Sequence, residues 1–170
     1  MEIVELSAGE VRAAADELAQ LLLDAHASNM ALGLAGPLSR EHAAKVWHDT
    51  AGLLDPACHV LLAAREDGRV FGTVQIVRAT SENGGHRAEI QRLAVLGDRR
   101  GAGIGRALLG AAAERARALG LRVLWLTTHA DTGSDLFYAA AGWTRLGVVP
   151  LYSARPDGTL AGGAFYYLEL

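Results

Sequence analysis

The run Arg99-Arg100-Gly101-Ala102-Gly103-Ile104-Gly105 carries the densest chemical signal in the chain. It follows an apolar, β-rich stretch and precedes an Ala/Leu/Arg-rich one, so it reads as a strand, a tight turn and a helix start. Glycines let a backbone approach its ligand closely, and the N–H groups at a helix start point at an anion. The chemistry such a turn can do is phosphate binding. Its spacing narrows which phosphate. A dinucleotide fingerprint needs a third glycine where this chain has Arg106 or Leu108, depending on whether the count begins at Gly101 or Gly103. The nucleoside-triphosphate loop needs Lys-Ser or Lys-Thr, and neither is present. Both nucleotide readings fail. Metal and disulfide chemistry have little support either, because Cys58 is the only cysteine and the six histidines show no ligand spacing.

The elements that must position this turn can be placed by pattern. Ile3 to Leu6 reads as a short strand, and Ser7 with Glu10 as a capping box opening a helix through about Ser28. Asn29 to Leu38 is a loop, and Ser39 caps a second helix to about Leu54. Cys58 to Arg65 and Val70 to Ala79 are strands joined at Asp67-Gly68, a hairpin signal. Ala88 to Val95 is the strand that leads into the glycine turn, and the helix after it ends at Gly120. A strand at 122–127, a helix at 133–141 and two tail strands, 143–149 and 164–170, complete the order β-α-α-β-β-β-α-β-α-β-β. That order predicts one α/β domain over residues 1–170, with a mixed sheet of six to seven strands flanked by about four helices.

Arg100-x-x-Gly103-x-Gly105 resembles the pyrophosphate-binding signature of the Gcn5-related N-acetyltransferase family. The likeness extends along the chain. Leu93-Ala94-Val95 is similar to the family's coenzyme-bearing strand, Asp131-x-x-Ser134-x-x-Phe137-Tyr138 to its Asn-x-x-Ala-x-x-Leu-Tyr, and Ala141-Gly142-Trp143 to its helix exit. The resemblance implies acetyl-CoA as co-substrate. It implies that Leu93, Val95, Arg100, Gly101, Ala102, Gly103, Ile104, Gly105, Arg106, Asp131 and Ser134 hold it, with Arg99, Arg100 and Arg106 adding charge or standing solvated.

Acetyl transfer to an amine has two proton problems. An alkyl ammonium of pKa near 10.4 is neutral in only about one molecule per 2,500 at pH 7, and the leaving thiolate must be protonated or stabilised. Glu89 is the candidate base, as some family members carry theirs on this strand. The alternative is a carboxylate paired at the surface with Arg87 or Arg122. Alternation by two puts Glu89 on one face with Gln91, Leu93 and Val95, opposite Ile90 and Ala94. Tyr138 is the candidate acid toward sulfur; otherwise it is an aromatic packed with Leu136 and Trp143. A backbone N–H near Val95 is expected to meet the oxyanion.

The segments 36–47 and 149–166 resemble the tabtoxin-resistance branch, whose members acetylate a β-lactam-containing dipeptide toxin or related small amines. Where that branch has an acidic residue, this chain has Thr127. The expected acceptor is therefore a small-molecule primary amine in a pocket formed by the 29–37 loop, Trp47, Thr127 and Tyr152. A peptide or protein amino terminus, and a coenzyme-binding sensor without turnover, are the alternatives. The net charge of −3, with Lys45 the only lysine, does not suggest a nucleic-acid partner. The longest apolar stretch, Leu18 to Ala27, is too short for a bilayer, and no signal peptide is evident, so a cytoplasmic protein is expected. Analogy leaves a homodimer through the tail strands open.

Overall fold

At the amino end, Ser7 accepts the Glu10 N–H at 3.3 Å while the Glu10 carboxylate accepts the Ser7 N–H at 2.8 Å. This reciprocal cap opens α1 (Ala8–Ala13) of the computed structural model, which describes residues 1–30 and 32–170. The predicted single helix to Ser28 is in fact two. Ala14 leaves helical geometry (φ −98°, ψ 10°), and α2 runs Ala15–Ala27. No helix breaker stands at 13–15, all alanine, so the bend comes from packing: Val11 and Leu18 are both buried in one cluster. Ser39 caps α3 (Arg40–Leu53), as its sequence predicts. Ala31, within the expected 29–37 loop, lies outside the described residues.

The strands are β1 (Glu2–Glu5), β2 (His59–Glu66), β3 (Arg69–Arg78), β4 (Arg87–Val95), β5 (Val123–His129), β6 (Thr144–Ala154) and β7 (Leu160–Glu169). Between them lie α4 (Ile104–Ala118) and α5 (Gly133–Ala140), with short 3₁₀ turns at Glu82–Gly84 and Gly97–Arg99. The β2–β3 hairpin turns on Asp67 and Gly68, both at positive φ (50° and 80°), as a two-residue turn of this twist requires. All seven strands form one sheet in the order β1-β2-β3-β4-β5-β7-β6. Every pairing is antiparallel except β4 with β5.

Two apolar layers hold the sheet. On one face α4, through Leu108 and its neighbours, and α5 cover Val60, Ile76, Ile90, Leu124 and the residues beside them. On the other, α1 to α3 cover Leu61, Ala63, Val70 and Ala94, with Trp47 at the centre. Among the described residues no helix is long and apolar enough to cross a membrane.

Candidate active site

The site begins as a failure of strand pairing. β4 and β5 pair only through Arg87–Val123, Ala88–Leu124 and Glu89–Trp125. Beyond that, β5 stays with β7 as far as His129–Gly163, while β4 stays with β3. The strands diverge because β4 carries a bulge. Gln91 opposes Gln75 and Ala94 opposes Thr73, so Arg92 and Leu93 together face Val74. Arg92 takes φ 45° to make this possible. A bulge bends its strand and increases the local twist, which opens a wedge in the sheet.

The bulge also corrects the predicted alternation. Ala88 and Ile90 lie in the α4/α5 layer, but Ala94 lies in the α1–α3 layer, while Leu93 and Val95 pack toward α4. Ile90 and Ala94 are thus on opposite faces. Glu89, Gln91 and Arg92 share the α3 side of the wedge; Leu93 and Val95 face the other way.

On the α4 side is a cleft of about 580 Å³, lined by Leu93, Val95, Arg99, Arg100, Gly101, Gly103, Ile104, Gly105, Arg106, Ser134, Phe137 and Tyr138 among others. Gly101 and Gly103 both sit at φ 80°, and a Cβ added to either would meet no atom within 4 Å. The first helical bond of α4 runs from the Ala107 N–H to the Gly103 carbonyl at 3.0 Å. Among the described residues nothing accepts the amides of residues 101–106, so the positive end of a 15-residue helix faces the cleft unsatisfied. An open glycine cradle under free amides fits a pyrophosphate.

Three expectations about this cleft change. The Arg100 side chain does not stand free as charge for a phosphate. Its Nε donates to the Val95 carbonyl at 2.8 Å, Nη1 to Ser28 Oγ at 2.7 Å and Nη2 to Asp24 Oδ2 at 2.7 Å. Asp24 also accepts the Gly97 N–H at 2.7 Å, so the pair straps the glycine turn to the end of α2. Asp131 does not line the cleft; it sits at φ 59° with its N–H on Asp135 Oδ2 at 3.0 Å. The Ala102 side chain is exposed and lines no part of the cleft, so Ala102 offers only its backbone amide. Arg106 reaches the Ala140 carbonyl at 3.1 Å, and Arg99 lies over the Phe71 ring, 5.3 Å from its centroid.

Tyr138 is only 9% exposed, yet it lines both this cleft and a cavity of about 220 Å³ on the far side, with Leu32, Gly33, Glu89, Gln91, Arg92 and Thr127. Its ring packs against Phe137, Trp143 and Tyr166, whereas Leu136 points outward at 75% exposure. Its hydroxyl bonds to no described residue, and burial pushes its pKa far above the ordinary phenol value. It therefore keeps its proton. A network unseen in the sequence anchors Tyr166, one of the rings against which it packs. Asp135, buried on α5, accepts from the Tyr166 hydroxyl, the Asp131 amide and Arg145 Nη2 at 3.1 Å. Burial alone would raise the Asp135 pKa, but these donors outweigh it and hold the carboxyl low.

The far side of the wedge gathers residues from four strands. Gln91 Nε2 donates to Glu89 Oε2 at 2.9 Å, and among the described residues neither Arg87 nor Arg122 pairs with Glu89. A second cavity of about 340 Å³, lined by Gly33, Leu34, Ala35, Thr127, Thr128, His129 and Tyr152, shares Gly33 and Thr127 with the first. Tyr152 packs edge-on to Phe165 (5.0 Å between centroids), which stacks on Trp125. Gly163 makes room for this: a Cβ there would come within 2.5 Å of the Tyr152 ring. His129 is buried, and desolvation lowers its pKa against the opposing pull of the Asn29 backbone, with the charge of Arg155 adding to the lowering. Trp47 is a correction. It is 0% exposed in the core beneath α3 and lines none of these cavities, so it supports the wall from behind. Arg92 and His129 escaped the sequence reading. The consecutive polar pair Gln91-Arg92 and the slip of apolar positions from 88 and 90 to 93 and 95 were the available signal of a bulge. Among the described residues no group of three or more His, Cys, Asp or Glu could hold a metal.

A split sheet that opens beside a glycine turn at a helix start defines an acyl-coenzyme-A-dependent transferase fold. The chain belongs to the acetyltransferase (GNAT) family, whose model matches residues 16–143. It is an acetyltransferase, and acetyl-CoA is the family's co-substrate. Solved structures agree on the fold. A ribosomal-protein-alanine N-acetyltransferase from Brucella melitensis matches with a TM-score of 0.80 at 20% identity, over 100% of both chains. A putative acetyltransferase from Salmonella typhimurium, solved with its cofactor acetyl-CoA, matches at 0.74 and 18% identity, over 100% of this chain and 94% of that one. A putative phosphinothricin N-acetyltransferase matches at 0.80 and 19% identity, over 99% of this chain and 98% of that one.

Proposed function

We propose that the chain, acting as one N-acetyltransferase domain over residues 1–170, acetylates the primary amine of a small molecule by direct transfer in a ternary complex. One observation carries this reading. The coenzyme cleft and the acceptor cavities form a chain of shared walls: Leu93 and Tyr138 join the first two, and Gly33 and Thr127 join the second to the third. The cavities of about 220 and 340 Å³ suit a compact acceptor under the loop at Gly33 to Ala35.

Acetyl-CoA supplies the acetyl thioester. The free amides of residues 101–106 hold its pyrophosphate, and Leu93, Val95 and Ser134 flank the arm that leads inward. Glu89, steadied by Gln91, takes the proton an ammonium must lose. The buried Tyr138 hydroxyl, which keeps its proton, offers it at the wall between cleft and cavity toward the departing sulfur. Tyr152 and Thr127 shape the acceptor's far wall. The likeness of residues 36–47 and 149–166 to the tabtoxin-resistance branch supports a small amine. Thr127 in place of that branch's acidic residue moves the proton-accepting work to Glu89.

Calorimetric titration with acetyl-CoA, followed by thiol release on a panel of small amines, tests the reading. Binding with amine-dependent release supports it. Binding without release on amines, but with release on amino-terminal peptides, would replace the acceptor class. Binding with no release on either would leave a sensor in place of an enzyme.

A further inference from the structure

The cavity beside Tyr138 is lined by a cation that touches no anion among the described residues. Arg92 lines it, and among the described residues no carboxylate lies within 4 Å of its guanidinium. Its Nη1 donates only to uncharged groups, Thr50 Oγ1 at 3.1 Å and, weakly, Gln75 Oε1 at 3.5 Å. Gln75 Oε1 also faces His59 Nε2 at 2.9 Å, so Arg92 only shares that neutral oxygen. Nε is buried with no partner, and so is the neighbouring Gln75 Nε2. Nη2 bonds to no described residue and is not among the sealed atoms, which leaves it accessible from the cavity.

Removing a charge from water without a partner is costly, and an arginine fork satisfies that deficit best with a planar carboxylate. The one carboxylate on the same wall, Glu89, is held by Gln91 and does not reach Arg92. Glu89 and Arg92 lie three residues apart on one side of the wedge, so the wall presents a negative and a positive group to the same small cavity. That pattern complements a molecule carrying an ammonium and a carboxylate close together.

We infer that Arg92 anchors a carboxylate of the acceptor, so the amine acetylated beside Glu89 belongs to an amino acid or a short amino-acid-derived molecule. The inference rests on the split as the acceptor site. Arg92 is here a binding residue, reached only because the β4 bulge turns it toward α3 and not into the coenzyme cleft.

The test pairs each common L-amino acid with its carboxamide as acceptor, following thiol release in the presence of acetyl-CoA. In parallel, each N-acetyl amino acid and its carboxamide are titrated into protein saturated with coenzyme A. At least one acid should be favoured over its amide by about tenfold or more in kcat/KM or in affinity. Arg92→Gln should collapse that ratio and Arg92→Lys should retain part of it, with coenzyme titration confirming that both variants fold. The inference is overturned if the wild type favours no acid over its amide in either readout, or if Arg92→Gln keeps the preference. Thiol release with no such preference sinks this inference alone. Product preference lost in Arg92→Gln, with no turnover of any amine, upholds it and sinks the reading of small-amine acetylation.

Discussion

The two sides of the wedge are built on different principles. The coenzyme side is mostly backbone from one contiguous segment: two glycines at φ 80°, a helix start and free amides between residues 101 and 106. The acceptor side is mostly side chains from β4, β5, β6 and β7, brought together by a bulge and an aromatic stack. A backbone site depends on local conformation and tolerates varied side chains. A side-chain site depends on distant register and changes specificity with each substitution. On the proposed reading, one sheet thus combines a fixed donor half with an adjustable acceptor half.

The comparison breaks most sharply at Gly103. Gly103→Val puts a β-branched residue at φ 80° and fills the open face of the turn, and should weaken acetyl-CoA binding by about 100-fold or more by calorimetry. Next is Tyr138→Phe, which should cut turnover by about 100-fold while coenzyme affinity holds. Because burial raises the Tyr138 pKa, the wild-type rate should show no alkaline limb from this phenol near the ordinary phenol pKa of about 10. A limb that Tyr138→Phe abolishes would remove that argument.

Asp135→Asn should lower stability by about 1–3 kcal/mol in a denaturant melt, since a buried network loses its acceptor. The sign can be checked with acid. A carboxyl held low when folded adds stability above its unfolded pKa of about 3.9 and loses it as pH falls further. The variant should lack that acid-dependent loss. Gly163→Ala should raise the acceptor KM several-fold, on the order of 1 kcal/mol, by pushing Tyr152 off β7 while coenzyme binding stays as it was. The smallest effect belongs to His129, whose folded pKa is depressed. Wild-type stability should decline as pH falls below about 6.5, and His129→Gln should flatten that slope.

The same contrast explains what the sequence could reveal. The glycine turn, the Ser7 and Ser39 caps and the Asp67-Gly68 hairpin are local, and each was legible from its own residues. The role of Trp47 was not, because helical spacing cannot say whether an indole faces a pocket or a core; here it is wholly buried. Its truncation would cost about 3–5 kcal/mol of packing, an effect on folding before any on the acceptor. The Arg100 strap depends on α2 ending beside the turn, 76 residues away in sequence. The bend at Ala14 and the bulge at Arg92 follow from tertiary packing that overrides local preference.

The three β4–β5 pairs have a mechanical consequence. Among the described residues they are, with the Arg122 N–H on the His86 carbonyl at 2.7 Å beside them, the backbone link between the half-sheet β1–β4 and the half-sheet β5–β7. Every other β5 pairing is to β7, so the sheet itself is two plates whose backbones meet along a short seam at Arg87 to Glu89, with the α4/α5 layer packed across both. Pulled apart by its ends, the protein should tear there first, and a ligand bridging the wedge would act as a rivet that raises the rupture force.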